Sequence, residues 1–159
     1  MRKACLLLMP VILVTLPLAN ARADERSEDE TAIRRVVSDY AAAWRNANVE
    51  AMKRVLHPQA RLFLPPTGKT NLVAQTPAEL YANFKSRPRQ ESDMLPRWDA
   101  GMSIERLDVT GDVASVKIKV NSRGSEIVEH LSLMKFADGW KIVCRVMSVW
   151  IEGGQPKVS

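Results

Sequence analysis

Residues 136–150 read FADGWKIVCRVMSVW, a turn followed by a strand that is apolar at nearly every position. A sheet with one wet face alternates apolar and polar side chains, so this strand needs cover on both sides. Asp138-Gly139 is a hairpin signal. With those two residues as the turn, Ala137 pairs with Trp140 and the strand Glu126–Phe136 runs back alongside. One face of that hairpin then carries Ile127, Glu129, Leu131, Leu133, Trp140, Ile142, Cys144, Val146, Ser148 and Trp150. The other carries Val128, His130, Ser132, Met134, Phe136, Val143, Arg145, Met147 and Val149. Both are apolar, and the second has His130, Ser132 and Arg145 set into it.

Upstream, Ile104–Val109 and Val113–Val120 add two more strands of period two, separated by Gly111-Asp112 and Ser122-Arg123-Gly124. Before residue 102 the period is helical. Ile33, Val36, Val37, Tyr40, Ala41 and Trp44 form one stripe, opened by a capping box at Ser27–Glu30. Asn48 is placed to cap a second, shorter helix carrying Met52, Val55 and Leu56 and ending at His57-Pro58. Thr76-Pro77-Ala78-Glu79 opens a third, with Leu80, Tyr81 and Phe84 on its apolar side. Between the last two helices Arg61–Leu64 reads as a short strand. Arg87–Pro96 is polar and broken by prolines, a loop. Helices followed by an antiparallel meander predict an α+β domain, not alternating βαβ units.

Three helices can cover one face of a four- or five-stranded sheet. We expect them over the face with His130 and Arg145, which leaves the face with Trp140, Ile142, Val146 and Trp150 for a second subunit. Exposed side chains of that size would otherwise form an associating patch, so a homodimer through the outer sheet face is expected.

The first residues belong to a different kind of segment. Met1-Arg2-Lys3 is basic, Ala4–Leu18 is apolar but interrupted by Pro10 and Pro17, and Ala19-Asn20-Ala21 and Ala21-Arg22-Ala23 are small-x-small frames. This is the order of a secretory signal peptide, and the apolar run is shorter than the roughly 20 residues of a span. The reading is a signal peptide over 1–23, one domain over 24–151 and a polar tail over 152–159. It implies a periplasmic or secreted protein with no membrane attachment once the signal is removed. Processing also takes Arg2, Lys3 and Arg22. The 23 basic residues of the whole chain fall to 20 against 18 acidic ones, and the net charge falls from +5 to about +2. With no Lys/Arg-rich block either, a nucleic-acid partner is not expected. Cys144 alone remains after processing, so no internal disulfide can form. Two histidines and one cysteine far apart give no metal-ligand spacing, and neither a glycine-rich phosphate loop nor a nucleophile elbow occurs.

Three stretches together resemble the nuclear transport factor 2-like (SnoaL-like) superfamily. They are Val36–Trp44 with Asn48, His57-Pro58-Gln59-Ala60-Arg61-Leu62, and Glu129–Lys135 with Trp140-Lys141-Ile142-Val143. The last stretch is most similar to the branch called "putative lumazine-binding", with Glu129-His130 in place of its usual acidic-aromatic pair. The resemblance covers Glu28–Trp150. It implies a cone-shaped barrel, a curved antiparallel sheet with three N-terminal helices on its concave face (cystatin-like), and a pocket at the open end. It also implies that the site of the ketosteroid-isomerase relatives would fall at Tyr40, with the base near Leu64 and the second acid near Ser132. Leucine cannot abstract a proton and serine is a far weaker donor than a carboxylic acid, so that chemistry is not expected.

The pocket residues expected from these readings are Tyr40, Trp44, His130, Ser132, Met134, Arg145 and Met147, around a small aromatic or heterocyclic ligand, with no cofactor and no metal. A guanidinium turned inward needs a partner: a ligand anion, or an internal acid such as Glu79 or Asp39. Binding without catalysis is the leading reading. The alternatives are an isomerase, dehydratase or cyclase using His130 with Tyr40, and a dimeric protein-interaction module without a ligand.

Overall fold

The computed structural model describes residues 17–65, 72–86, 102–122 and 125–151. Along the chain come α1 (Pro17–Arg45), α2 (Val49–Val55), β1 (Leu56–Phe63), β2 (Ala74–Gln75), α3 (Pro77–Ser86), β3 (Met102–Thr110), β4 (Val113–Ser122), β5 (Ser125–Phe136) and β6 (Gly139–Ile151). The loop expected over 87–96, the tail over 152–159 and most of the apolar leader lie outside the described residues.

Local chemistry places most of these elements where the sequence predicts them. Asn48 caps α2 by accepting from the Ala51 backbone N–H at 3.0 Å. At α3 the capping box is complete: Thr76 Oγ1 accepts from Glu79 N–H, and Glu79 Oε2 accepts from Thr76 N–H at 2.7 Å. The box at Ser27–Glu30 is different, because α1 starts ten residues earlier and runs through it, with Thr31 Oγ1 donating to the Ser27 carbonyl. No proline or glycine lies between residues 18 and 45 to stop the helix, and Pro17 sits at its first position, where a missing N–H costs nothing.

The sheet has six strands among the described residues, in the order β2-β1-β6-β5-β4-β3. It is curved but unclosed, with β2 and β3 as its two edges, so it is an open cone and not a barrel. Nor is it wholly antiparallel, since β1 runs parallel to β6. No turn sequence announces that pairing, because nearly half of the chain separates the two strands. Pro58, which has no N–H to give, lies where the β1–β6 register is irregular, between Leu56 and Arg61.

The helices pack on one face. Ile33, Val37 and Tyr40 of α1 meet Ile118 of β4, Leu131 and Leu133 of β5 and Ile142 of β6 in one core cluster, all 1% exposed or less. Burying each such aliphatic side chain is worth about 1.5–3 kcal/mol. Asp29 ties the start of this interface, accepting from the Trp140 indole N–H at 2.9 Å and from the Lys135 ammonium. Burial alone would push the Asp29 carboxyl up, but those two donors outweigh it and hold it below the usual range.

The last hairpin differs from the expected register in two ways. Its turn is Ala137-Asp138, with Phe136 opposite Gly139, and Gly139 takes φ +105°, a conformation that suits glycine alone. That moves the register by two residues and leaves every side chain on its own face. Further along, Leu133 pairs with Ile142 but Ser132 pairs with Cys144, so Val143 is an extra residue, a β-bulge. One extra residue exchanges the faces of everything beyond it. The helix-facing side therefore carries Ile127, Glu129, Leu131, Leu133, Trp140 and Ile142, joined past the bulge by Arg145, Met147 and Val149. Val128, His130, Ser132, Met134, Cys144, Val146, Ser148 and Trp150 lie on the outer face.

Candidate functional site

At the centre of the helix-facing side is a cluster of three polar side chains. Tyr40 comes from the buried stripe of α1, Glu129 from β5 and Arg145 from β6. Glu129 stands directly opposite Met147 and Arg145 opposite Leu131, so the two charged residues are diagonal neighbours on one face. All three are at most 1% exposed. The Tyr40 hydroxyl donates to Glu129 Oε2 at 2.9 Å and accepts from Arg145 Nη1 at 3.3 Å. Arg145 Nη1 also lies 3.8 Å from Glu129 Oε1, an ion pair beyond hydrogen-bond length. The Trp44 ring, edge-on to both Tyr40 and Phe84, covers the guanidinium at 5.3 Å.

Electrostatics follow from depth. Burial pushes the Glu129 carboxyl above the usual range, against the opposing pull of the Arg145 charge and the Tyr40 hydrogen bond. Burial also pushes the Tyr40 hydroxyl up, so it stays protonated and donates. At Arg145 burial acts the other way, but Tyr40 and Glu129 outweigh it and keep the guanidinium a cation. The cluster is not fully satisfied from within. Among the described residues, Glu129 Oε1 and Arg145 Nε and Nη2 have no hydrogen-bond partner.

Of the seven residues expected to line a pocket, the fold brings four to this side: Tyr40, Trp44, Arg145 and Met147. His130, Ser132 and Met134 are on the other side of the sheet and exposed. Their displacement follows from the bulge: β5 and β6 share a parity relation only up to Val143, and a register without the bulge puts His130 and Arg145 on one face. His130 and Tyr40 are therefore separated by the sheet and do not form a catalytic pair. The internal acid facing Arg145 is Glu129, and neither Asp39 nor Glu79; Asp39 is exposed, and Glu79 is spent on the α3 cap. Glu129 is the member of this cluster that the two-residue turn places on the outer face and the bulge returns to the inner one. Its signal was present, a carboxylate in phase with Ile127, Leu131 and Leu133. It also supplies a buried carboxyl on the penultimate strand, three residues before the position implied by the isomerase resemblance. At the place implied for the base there is still a leucine, Leu64.

On the outer face, Asp108, Thr110, Val113, Ser115, Ser132, Met134 and Val143 line an open trough of about 360 Å³. No group of three or more metal-ligating side chains occurs among the described residues, and no described helix is long and apolar enough to cross a membrane.

The family model described as "Putative lumazine-binding" matches residues 28–148. The chain belongs to that family. Among solved structures, the fold of this lumazine-binding family member is similar to a nuclear transport factor 2-like protein of unknown function from Silicibacter pomeroyi. Identity there is 20%, with 78% of this chain and 98% of that one covered and a TM-score of 0.63. It is also similar to a nuclear transport factor 2-like protein with a cystatin-like fold from Novosphingobium aromaticivorans (17% identity, 89% and 94% covered, TM-score 0.57). The S. rosetta CaMKII hub gives 18% identity, 75% and 95% covered, and a TM-score of 0.57. At these identities the likeness establishes the fold, nuclear transport factor 2-like, and nothing about activity. No curated protein matches the chain significantly.

Proposed function

We propose that this is an exported domain that binds a small aromatic or heterocyclic molecule on the helix-facing side of its sheet and does not transform it. The observation that carries the reading is Arg145, a buried cation whose Nε and Nη2 have no acceptor among the described residues. Buried donors are almost always paired, and a bound molecule supplies what the protein does not. Trp44 and Met147 provide flat and polarisable surface beside it, suited to a ring. Membership of a family named for binding a heterocycle supports the same class of ligand. Against catalysis stand the separation of His130 from Tyr40 and the leucine at position 64. The test is native mass spectrometry of the purified protein, followed by thermal shift against pterins, flavins and other flat heterocycles. Saturable stabilisation is expected; none across the panel would refute the reading.

Export is proposed on the leader over residues 1–23. Cleavage there leaves Ser27–Glu30 free to act as the capping box of α1. N-terminal sequencing of the secreted or periplasmic protein checks it, and a retained Met1 would refute it.

We also propose a homodimer through the outer face. Val113, Met134, Val146 and Trp150 are 42–49% exposed there, and covering them would gain about 25 cal/mol per Å² of apolar area. Light scattering that gives a monomer mass at micromolar concentration would refute the dimer.

A further inference from the structure

We infer that the Nε–Nη2 edge of Arg145 is the recognition element of the interior site, and that it reads two adjacent, coplanar, uncharged acceptors on a flat ring, such as a carbonyl oxygen beside a ring nitrogen. The inference rests on the interior binding reading above and narrows it to one edge and one pattern of ligand atoms.

A guanidinium carries five N–H groups in one plane and binds through its edges. In Arg145 the Nη1 end is engaged, donating to Tyr40 Oη at 3.3 Å and facing Glu129 Oε1 at 3.8 Å. Trp44 covers its ring-facing side at 5.3 Å. What is left is the opposite edge, where the Nε and Nη2 hydrogens point side by side in the same direction. Neither has an acceptor among the described residues, although Arg145 is 1% exposed. Two parallel donors in a fixed plane match two acceptors on neighbouring atoms of a planar group. A single acceptor would leave one buried N–H unpaired, which is costly.

Charge separates the two kinds of ligand that offer such a pair. Arg145 already faces one internal acid, the Glu129 carboxyl at 3.8 Å, so an uncharged ring adds no further acid to the buried cluster. A carboxylate would set a second acid beside Glu129 in the same low-dielectric space, where an uncompensated charge is strongly disfavoured. The neighbouring surface suits a ring as well. Trp44 and Met102 pack against both apolar clusters of the interior, Met147 packs against the second, and all three remain half-buried.

The test is calorimetric titration of the full mature protein with three probes. Lumazine has a carbonyl oxygen beside a ring nitrogen. 5-Deazalumazine has the same outline with C–H in place of that nitrogen. Benzoate offers the acceptor pair with a charge. We expect lumazine to bind tighter than the deaza compound by about tenfold or more, with benzoate weaker than lumazine. Arg145→Lys should bring lumazine down to the deaza level, since an ammonium cannot present a fork. Equal affinities for the two ring compounds, or tighter binding of benzoate, would overturn this inference and leave the interior binding reading intact. No binding of either ring compound, or of any molecule in the wider thermal-shift panel, would overturn both. Should Arg145→Lys fail to fold, the Arg145 Nε–H resonance of the wild-type protein serves instead. Movement with lumazine and not with the deaza compound supports the edge reading, and no movement with either overturns it.

Discussion

The two faces of β5 and β6 are built from alternate residues of the same strands, yet they follow opposite rules. On the helix-facing side Glu129 and Arg145 are buried to 1% or less, and each is held by the other and by Tyr40. On the outer side His130 and Ser132 need no partner because they meet water, while Val146 and Trp150 are half exposed. Polar groups are thus costly inside and apolar ones unsettled outside. The comparison teaches that a residue type says little about its role in this sheet until its face is known.

The largest effect expected from this difference is at Glu129. Glu129→Leu leaves the Arg145 charge buried without its counter-ion and should cost about 3–5 kcal/mol in urea unfolding, whereas Glu129→Leu with Arg145→Leu should recover most of the loss. If the single variant costs no more than a surface substitution, the pair is not buried as described. Tyr40→Phe is milder. It removes the hydroxyl that bridges the two charges and should cost about 1–3 kcal/mol by the same measurement.

The pH dependence sharpens the same side. Burial raises the folded pKa of Glu129 above its ordinary 4.5, so the folded protein holds that proton more tightly than the unfolded chain. The resulting stability is complete below about pH 4.5 and is lost as pH rises through the folded pKa. Urea midpoints followed upward from pH 4 should carry this decline in the wild type, and Glu129→Gln should lack it. An identical slope in both would assign the pH dependence elsewhere.

Smallest in subunit stability is the outer face. Val146→Lys should change unfolding by only about 0.5 kcal/mol, as surface substitutions do. If the proposed dimer forms there, the same variant should still halve the mass seen by light scattering. A large loss of stability would mean that the outer face is packed against the subunit's own chain.

Much of this fold is legible residue by residue. The α1 stripe from Ile33 to Trp44, the Asn48 and Thr76 caps and the four strands after residue 102 all follow from local periodicity and turn chemistry. The site is only half legible. Tyr40, Trp44, Arg145 and Met147 could be placed inside, but Glu129 and His130 could not be told apart by face. Their exchange depends on Val143, and nothing in Lys141-Ile142-Val143-Cys144 marks one residue as extra. The β1–β6 pairing was out of reach for a related reason: Leu56–Phe63 and β6 meet across nearly half of the chain, with no turn to fix their direction.

The sequence by itself determined that this is an α+β domain, that its last strand is apolar on both sides, and that an arginine lies within it. These follow from side-chain periods of 3.6 and 2 and from the fixed needs of caps and turns, which act over a few residues. Tertiary structure alone decided which side of the sheet the helices cover, where β6 takes its bulge, and that Arg145 meets Glu129 and Tyr40. A bulge and a non-local pairing cost little locally and are selected by the curvature of the whole sheet, so the face that FADGWKIVCRVMSVW turns inward is set by the packed molecule and not by the stretch itself.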